Sequence, residues 1–239
     1  MKDLRPVRGR YYIRELISQG EHEEQDFKFS ISDARKIARS VSAFANNRGG
    51  RLLVGVKDNG TIAGVRSEED IFVVEQAAQM YCIPPQPIEV TAFKIDPGVV
   101  VFRVVIARAE RRPVVVREAD GSRRAYYRVA DENIAVPSFV GKAWRGPSGA
   151  ACAMSLDGTE RGLLDLLSER NGITYDEVVR LLHITGERAE EALARLYSLG
   201  LIDFRIGHNP VEIIPAPRQS LTIGLADDEI IIIFGKFNL

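Results

Sequence analysis

A chain of 239 residues, 45% hydrophobic and 27% charged, has the length and apolar content to bury one large core or two modest ones. Its 32 basic and 33 acidic residues leave a net charge of -1, which selects no class of partner, and no stretch nears the ~20 apolar residues of a membrane span. Cys82 and Cys152 make neither a disulfide framework nor a metal spacing, and the start MKDLRPVRGRYYIREL lacks a signal-peptide core, so a cytoplasmic protein with no membrane partner is expected.

Residues 1–20 are basic, with Arg5, Arg8, Arg10 and Arg14 around a short apolar turn at Ile13, Leu16 and Ile17. The acidic run EHEEQD leads into a short strand, Phe27-Lys28-Phe29. From Asp33 to Asn46 the apolar residues Ala34, Ile37, Ala38, Val41, Phe44 and Ala45 recur at three- and four-residue steps, predicting an amphipathic helix capped by Ser32 or Asp33 and stopped by Gly49-Gly50. Leu52–Val56 reads as a buried strand. Asp58-Asn59-Gly60 then supplies hairpin chemistry into a second strand, Thr61 to Val65. Ser67 to Asp70 caps a helix reaching about Ile83, where Pro84-Pro85-Gln86-Pro87 forbids more. Strands are expected at Ile88–Ile95, Val99–Ile106, Val114–Arg117 and Ala125–Val129, with a short helix at Ser138–Trp144 closing the domain.

Residues 147–156 have linker composition. Beyond them three helical patterns, the second opening on the capping box Thr174-x-x-Glu177, precede a hairpin from Leu201 to Ile214, which is the order of a winged helix. The tail suggests a further hairpin, Leu221–Leu225 with Ile230–Phe234. The fold class expected is therefore α+β, with domains at 1–146 and 157–214 and a β-hairpin extension at 215–239.

Charge is unevenly shared. The first 146 residues carry 24 Lys and Arg against 19 Asp and Glu, and the rest carry 8 against 14. A polyanion, if there is one, meets the first half. Basic residues gather at Arg35, Lys36 and Arg39 on the helix, at Arg48 in its Gly-Gly turn, at Arg111 and Arg112, and at Arg123, Arg124 and Arg128 interleaved with Tyr126 and Tyr127. Arginines among aromatics suit phosphate pairing with base stacking, and equally a solvated strand face. Arg48 with Gly49-Gly50 reads as a phosphate nest or, more simply, a helix C-cap. Glu21, Asp26 and Asp58 would offer three hard oxygen ligands for Mg²⁺ or Mn²⁺ if they converge; apart, they are loop and turn residues. No Walker sequence is present to support ATP hydrolysis. The segment from Asp157 to Ile206 holds 6 arginines and 10 acidic residues, so its third helix is a poor groove reader and fits dimerisation or protein docking as well as DNA contact.

The stretch from Glu21 to Gly64 resembles the Schlafen/AlbA-like domain family. The resemblance rests on Glu21, Asp26-Phe27-Lys28, Ala43-Phe44-Ala45-Asn46 with Gly49-Gly50, Gly55-Val56-x-Asp58 and Gly64, and then on Cys82-Ile83-Pro84-Pro85 and Tyr127-Arg128-Val129 through Asn133. It implies a mixed α/β domain that binds nucleic acid, in bacterial members joined to a winged helix and described as a transcriptional regulator. For some animal relatives it implies a metal-dependent endoribonuclease, whose carboxylates would fall on Glu21, Asp26 and Asp58, with Lys28 beside them. Two departures weigh against an enzyme: Asp26 stands where Glu is usual, and the domain is single, so a homodimer would have to supply its second half. The expectation is thus a nucleic-acid-binding homodimer, DNA or RNA, with no certain cofactor, and a Mg²⁺- or Mn²⁺-dependent endoribonuclease as the alternative.

Overall fold

The small and polar residues from Ser40 to Asn46 decide the architecture, because they let that half of a helix be enclosed on every side. The computed structural model describes residues 6–67, 69–146, 156–208 and 210–217, and the strands Leu221–Ala226 and Glu229–Phe234 by backbone. Arg5, Glu68, Cys152, Asn209, Asp227, Asp228 and nearly all of the expected linker lie outside the described residues. The chain divides into two units, Met1–Val136 and Pro137–Leu239.

In the first unit the order is β1 (Val7–Arg8), α1 (Arg10–Ser18), β2 (Gln25–Lys28), α2 (Ala34–Asn46), β3 (Gly50–Val54) and α3 (Glu69–Gln76), which runs on as a π turn at Ala77–Tyr81. Then follow β4 (Cys82–Ile83), β5 (Ile88–Asp96), β6 (Val99–Ile106), β7 (Val115–Arg117), β8 (Arg123–Val129) and β9 (Glu132–Ala135). One sheet has the order β1-β5-β6-β3-β2, with β1 parallel to β5 and β2 parallel to β3; the other has the order β4-β7-β8-β9 and is antiparallel. α2 is the crossover between β2 and β3, and a parallel pair requires such a crossover.

α2 packs on both sheets. Asp33 caps it, its carboxylate accepting from the N–H groups of Arg35 and Lys36, and from Ser40 to Asn46 every residue is buried. Burying Ile37, Val41 and Phe44 contributes roughly 1.5–3 kcal/mol each. The buried polar side chains of its second half are fully used. Asn46 Nδ2 donates to the Val114 and Tyr126 carbonyls at 2.9 Å each, and its Oδ1 accepts from the Val114 N–H at 2.8 Å. Ser42 Oγ donates to the Val114 carbonyl at 2.8 Å and accepts from the Tyr126 N–H at 3.1 Å. The Ala-Phe-Ala-Asn motif is thus a seam between α2 and the second sheet. The turn after it is a C-cap, as the simpler sequence reading has it: the Gly49 N–H donates to the Phe44 carbonyl, φ is +86°, and a Cβ there would lie 2.9 Å from the Ile106 carbonyl oxygen. Gly55 is packed still more closely, since a Cβ would lie 2.7 Å from backbone atoms of Gly64 and Val65.

The opposite face of the five-stranded sheet carries a smaller core of Ile13, Leu16, Phe27, Leu53, Val56, Phe93, Ile95 and Val101, covered by α1. The apolar turn read near Ile13 is therefore one face of a nine-residue helix. The strand expected at Thr61–Val65 does not form. Only Val56 and Ile62 bridge, and the chain instead crosses Gly55, whose carbonyl accepts from the Ala63 and Gly64 N–H groups. β1, β4 and β9 are too short to leave a period in the sequence.

In the second unit the order is α4 (Ser138–Arg145), α5 (Gly158–Glu169), β10 (Ile173–Thr174), α6 (Tyr175–Leu181), α7 (Gly186–Ser198), β11 (Ile202–Arg205) and β12 (Glu212–Pro215). α4, expected to close the first domain, packs on α7 here instead, with Phe139 stacked on Tyr175. The capping box predicted at Thr174 and Glu177 forms, and Asp157 with Glu160 makes another on α5. β10, β12 and β11 form an antiparallel sheet. Further on, β13 (Leu221–Ala226) pairs antiparallel with β14 (Glu229–Phe234). Among the described residues no helix is long and apolar enough to cross a membrane.

Candidate nucleic-acid interface and a carboxyl pair

Strand alternation on β2 sorts the acidic segment into two sets. Phe27 points into the α1-side core, and Gln25, on the same side, donates to the Leu16 and Gly20 carbonyls. Asp26 and Lys28 face the other way. The Asp26 carboxylate is almost wholly buried and surrounded by donors: Lys28 Nζ at 2.7 Å, Arg128 Nη2 at 3.2 Å and Ser40 Oγ at 3.3 Å. Asn133 ties this set together, donating to Ser40 Oγ at 3.0 Å and accepting from Arg128 Nη1 at 3.1 Å. Glu21, half-buried, curls back over the strand to accept from the Phe27 N–H at 2.8 Å, which brings its carboxyl to that of Asp26.

Two carboxyls so placed cannot both ionise easily. Burial first, and then the hydrogen bond to Asp26, push Glu21 up to about 7. Burial opposes ionisation of Asp26 as well, but the hydrogen bond from Glu21 and the charges of Lys28 and Arg128 hold its carboxyl below the usual range. The pair therefore shares one proton near neutrality, on Glu21. Environments that separate two neighbouring carboxyls in this way are the arrangement acid–base chemistry uses.

The third carboxylate is not with them. Asp58 is exposed in the turn from Lys57 to Gly60, and among the described residues no three His, Cys, Asp or Glu side chains group to hold a metal ion. Lys28 and Arg128 moreover occupy the oxygens of Asp26 that a cation would need. The expected Glu21–Asp26–Asp58 donor set does not fit Mg²⁺ or Mn²⁺ as it is arranged. The fault in the expectation is geometric: β2 and β3 are parallel, and the chain runs past the end of β3 before turning at Asp58.

The predicted basic residues part company as well. Arg128 is 1% exposed and lies over the Phe44 ring, so it is a strut of the interior and not a phosphate contact. Alternation along β8 puts it on the same face as Tyr126, which is the one sign of burial in the sequence. Arg39 makes a two-pronged pair with Glu118 at 3.0 and 2.6 Å and lies over Tyr126, while Arg35 lies over Tyr81. Arg112 donates to the Asn46 carbonyl, and Arg124 pairs with Asp120 at 3.3 Å. Lys36, Arg48, Arg111 and Arg123 are exposed. Ser40 and Asn133, which organise Asp26, give no signal in the sequence beyond Asn133 closing the Tyr127–Asn133 run, and Arg51 and Arg103 give none among apolar strand residues. In the second unit the cations of α7 are committed to carboxylates: Arg188 to Asp157 and Glu191, and Arg195 to Glu160 at 3.1 Å. Lys142 on α4 pairs with Glu190 at 3.3 Å.

Comparison with known proteins bears on the first unit most. Residues 21–137 match a family model described as Schlafen, AlbA_2. No curated protein matches the chain. A solved structure, that of the DIP2311 protein from Corynebacterium diphtheriae, is similar with a TM-score of 0.44 and 19% identity, covering 76% of this chain and 33% of that one. The chain thus spans about a third of the length of that protein.

Proposed function

We propose, from the premise that this chain carries a Schlafen AlbA_2 domain across residues 21–137, that it is a nucleic-acid-binding protein whose first unit meets the phosphate backbone. The family is tied to nucleic-acid-related functions. One observation carries the reading to this chain: Lys36, Arg48, Arg111 and Arg123 stand exposed on the first unit, while the arginines of α7 in the acidic second unit are held in ion pairs. In the second unit α5, α6 and α7, with the three-stranded sheet, come in the order expected of a winged helix. With its α7 cations neutralised, that unit fits dimerisation or protein docking better than groove reading, which makes a homodimeric transcriptional regulator the form of the proposal. Fluorescence polarisation with labelled DNA and RNA across a salt series tests it. Binding should weaken steeply with salt, and absence of binding at low salt, or indifference to salt, would defeat it.

A second reading, an endoribonuclease, draws on the proton-sharing Glu21–Asp26 pair alone, because Asp58 lies apart and the described residues gather no seat for Mg²⁺ or Mn²⁺. Incubation of structured RNA with either cation separates the two: cleavage by the wild type that is lost in Glu21→Gln would establish the enzyme, and the binding reading expects intact RNA.

A further inference from the structure

Three arginines on the α1 side of the five-stranded sheet make no ion pair among the described residues, and they surround one hollow. Arg51 on β3 lies opposite Val105, and Arg103 on β6 lies opposite Leu53 and Thr91. Leu53 belongs to the core that α1 covers, so alternation puts both guanidiniums on that face as diagonal neighbours, roughly 7–8 Å apart at the backbone. Their partners are neutral. Arg51 Nε donates to Gln25 Oε1 at 2.7 Å and its Nη2 to Gln19 Oε1 at 2.8 Å. Arg103 Nη1 donates to the Tyr12 hydroxyl at 2.5 Å, its guanidinium lies over the Tyr12 and Phe93 rings, and its Nε is buried with no hydrogen-bond partner. Arg48 and the Gly49-Gly50 turn complete the rim of a hollow of about 320 Å³, to which Glu24 adds one carboxylate. Three guanidiniums against a single carboxylate, two of them fixed by amides and a phenol that leave their charge intact, make a seat for an anion.

Tyr12 is also a wall of a second hollow, of about 560 Å³, where Tyr11, Arg8, Lys94 and Pro97 take part. Tyr11 is 87% exposed, and the one acidic residue there, Asp96, is engaged by Arg10. A large aromatic ring so exposed beside a cationic seat is what an unstacked base finds on single-strand binding surfaces, because every base offers a π-face. We propose that a single strand of nucleic acid crosses the sheet here, placing one phosphate among Arg48, Arg51 and Arg103 and one adjacent base against Tyr11 and Tyr12. This rests on the nucleic-acid reading above and moves the path away from the α2 and β8 arginines to which the sequence pointed.

The test uses the full chain and a labelled oligothymidylate in fluorescence polarisation, with the matching duplex in parallel. Tyr11→Ala should weaken single-strand binding by about tenfold or more, with Tyr11→Trp restoring it, and should leave duplex binding unchanged. Arg48→Ala should lower the slope of log affinity against log salt by about 0.7, as expected for one lost phosphate contact on a single strand. Both side chains are exposed, and thermal unfolding checks that each variant folds. Lys36→Ala with Arg123→Ala, on the α2 and β8 face, should weaken binding by less than either Tyr11→Ala or Arg48→Ala. If that double variant weakens while Tyr11→Ala and Arg48→Ala do not, the strand lies elsewhere: this proposal falls and the wider reading stands. If inorganic phosphate or AMP binds in an Arg48-dependent way and the oligonucleotide does not, the hollow is a small-anion site and the strand path is wrong. A wild type that binds no nucleic acid at low salt overturns both readings.

Discussion

Replacing Glu21 by Gln isolates the shared proton. The glutamine Oε1 can still accept from the Phe27 N–H, and its amide can donate to Asp26, so both hydrogen bonds survive while the ionisation is removed. A carboxyl carried from 4.5 to about 7 is displaced by about 3 kcal/mol between the two protonation states. Glu21 is only half-buried, and solvent screening reduces this to ~1–2 kcal/mol. The sign follows from linkage. The folded protein holds this proton more tightly than the unfolded chain, so the contribution of Glu21 to stability is complete below pH 4.5 and fades as pH rises through about 7. His22 next to it is shifted the other way, downward, by burial and by Arg51, and is common to both proteins. Hydrogen exchange followed by mass spectrometry, corrected for intrinsic rates, reads β2 and the second unit separately. Glu21→Gln should match the wild type in β2 protection at pH 5 and exceed it by ~1–2 kcal/mol at pH 8, with peptides of the second unit unchanged. Parallel profiles across that range would mean that the two carboxyls do not share a proton.

Two further outcomes follow from buried polar groups. Arg128→Met leaves the Asp26 carboxylate with Lys28 as its one cationic partner among the described residues and should cost about 3–5 kcal/mol in urea unfolding, part of which Asp26→Asn in the same chain restores; a loss under about 1 kcal/mol would show that Arg128 is no strut. Asn46→Ala removes the amide that joins α2 to β7 and β8 and leaves the Val114 N–H without its partner, for an expected loss of about 2–4 kcal/mol; an unchanged unfolding midpoint would contradict the seam.

Where side chains alternate or recur with a clear period, the sequence was a good guide. β5 through β8 fall within a residue or two of their predicted places, apart from two extra residues at the start of β8, and α7 begins after Thr185 and closes at Leu199 as read. α2 was legible as a helix but not as an enclosed one, because its apolar stripe is narrow and its buried serines look solvated until a second sheet covers them. The carboxylates failed for a related reason. Motif spacing fixes neighbours along the chain, whereas convergence of Asp58 with Glu21 depends on where a strand ends and a turn begins. Arg128 and Arg103 mislead in opposite senses: each is a cation on a strand, and only the packing on that face separates a buried strut from a surface contact.

The two sheets of the first unit share one core through α2, whose residues contact β3, β6, β7 and β8 alike. Neither sheet can shed its cover without the other losing the same helix. The unit should therefore open in a single cooperative step, with amides of β3 and β8 exchanging together despite belonging to different sheets. A ligand gripping either sheet would then stiffen both, and contact at one edge of the domain would be felt at the other with no change of shape.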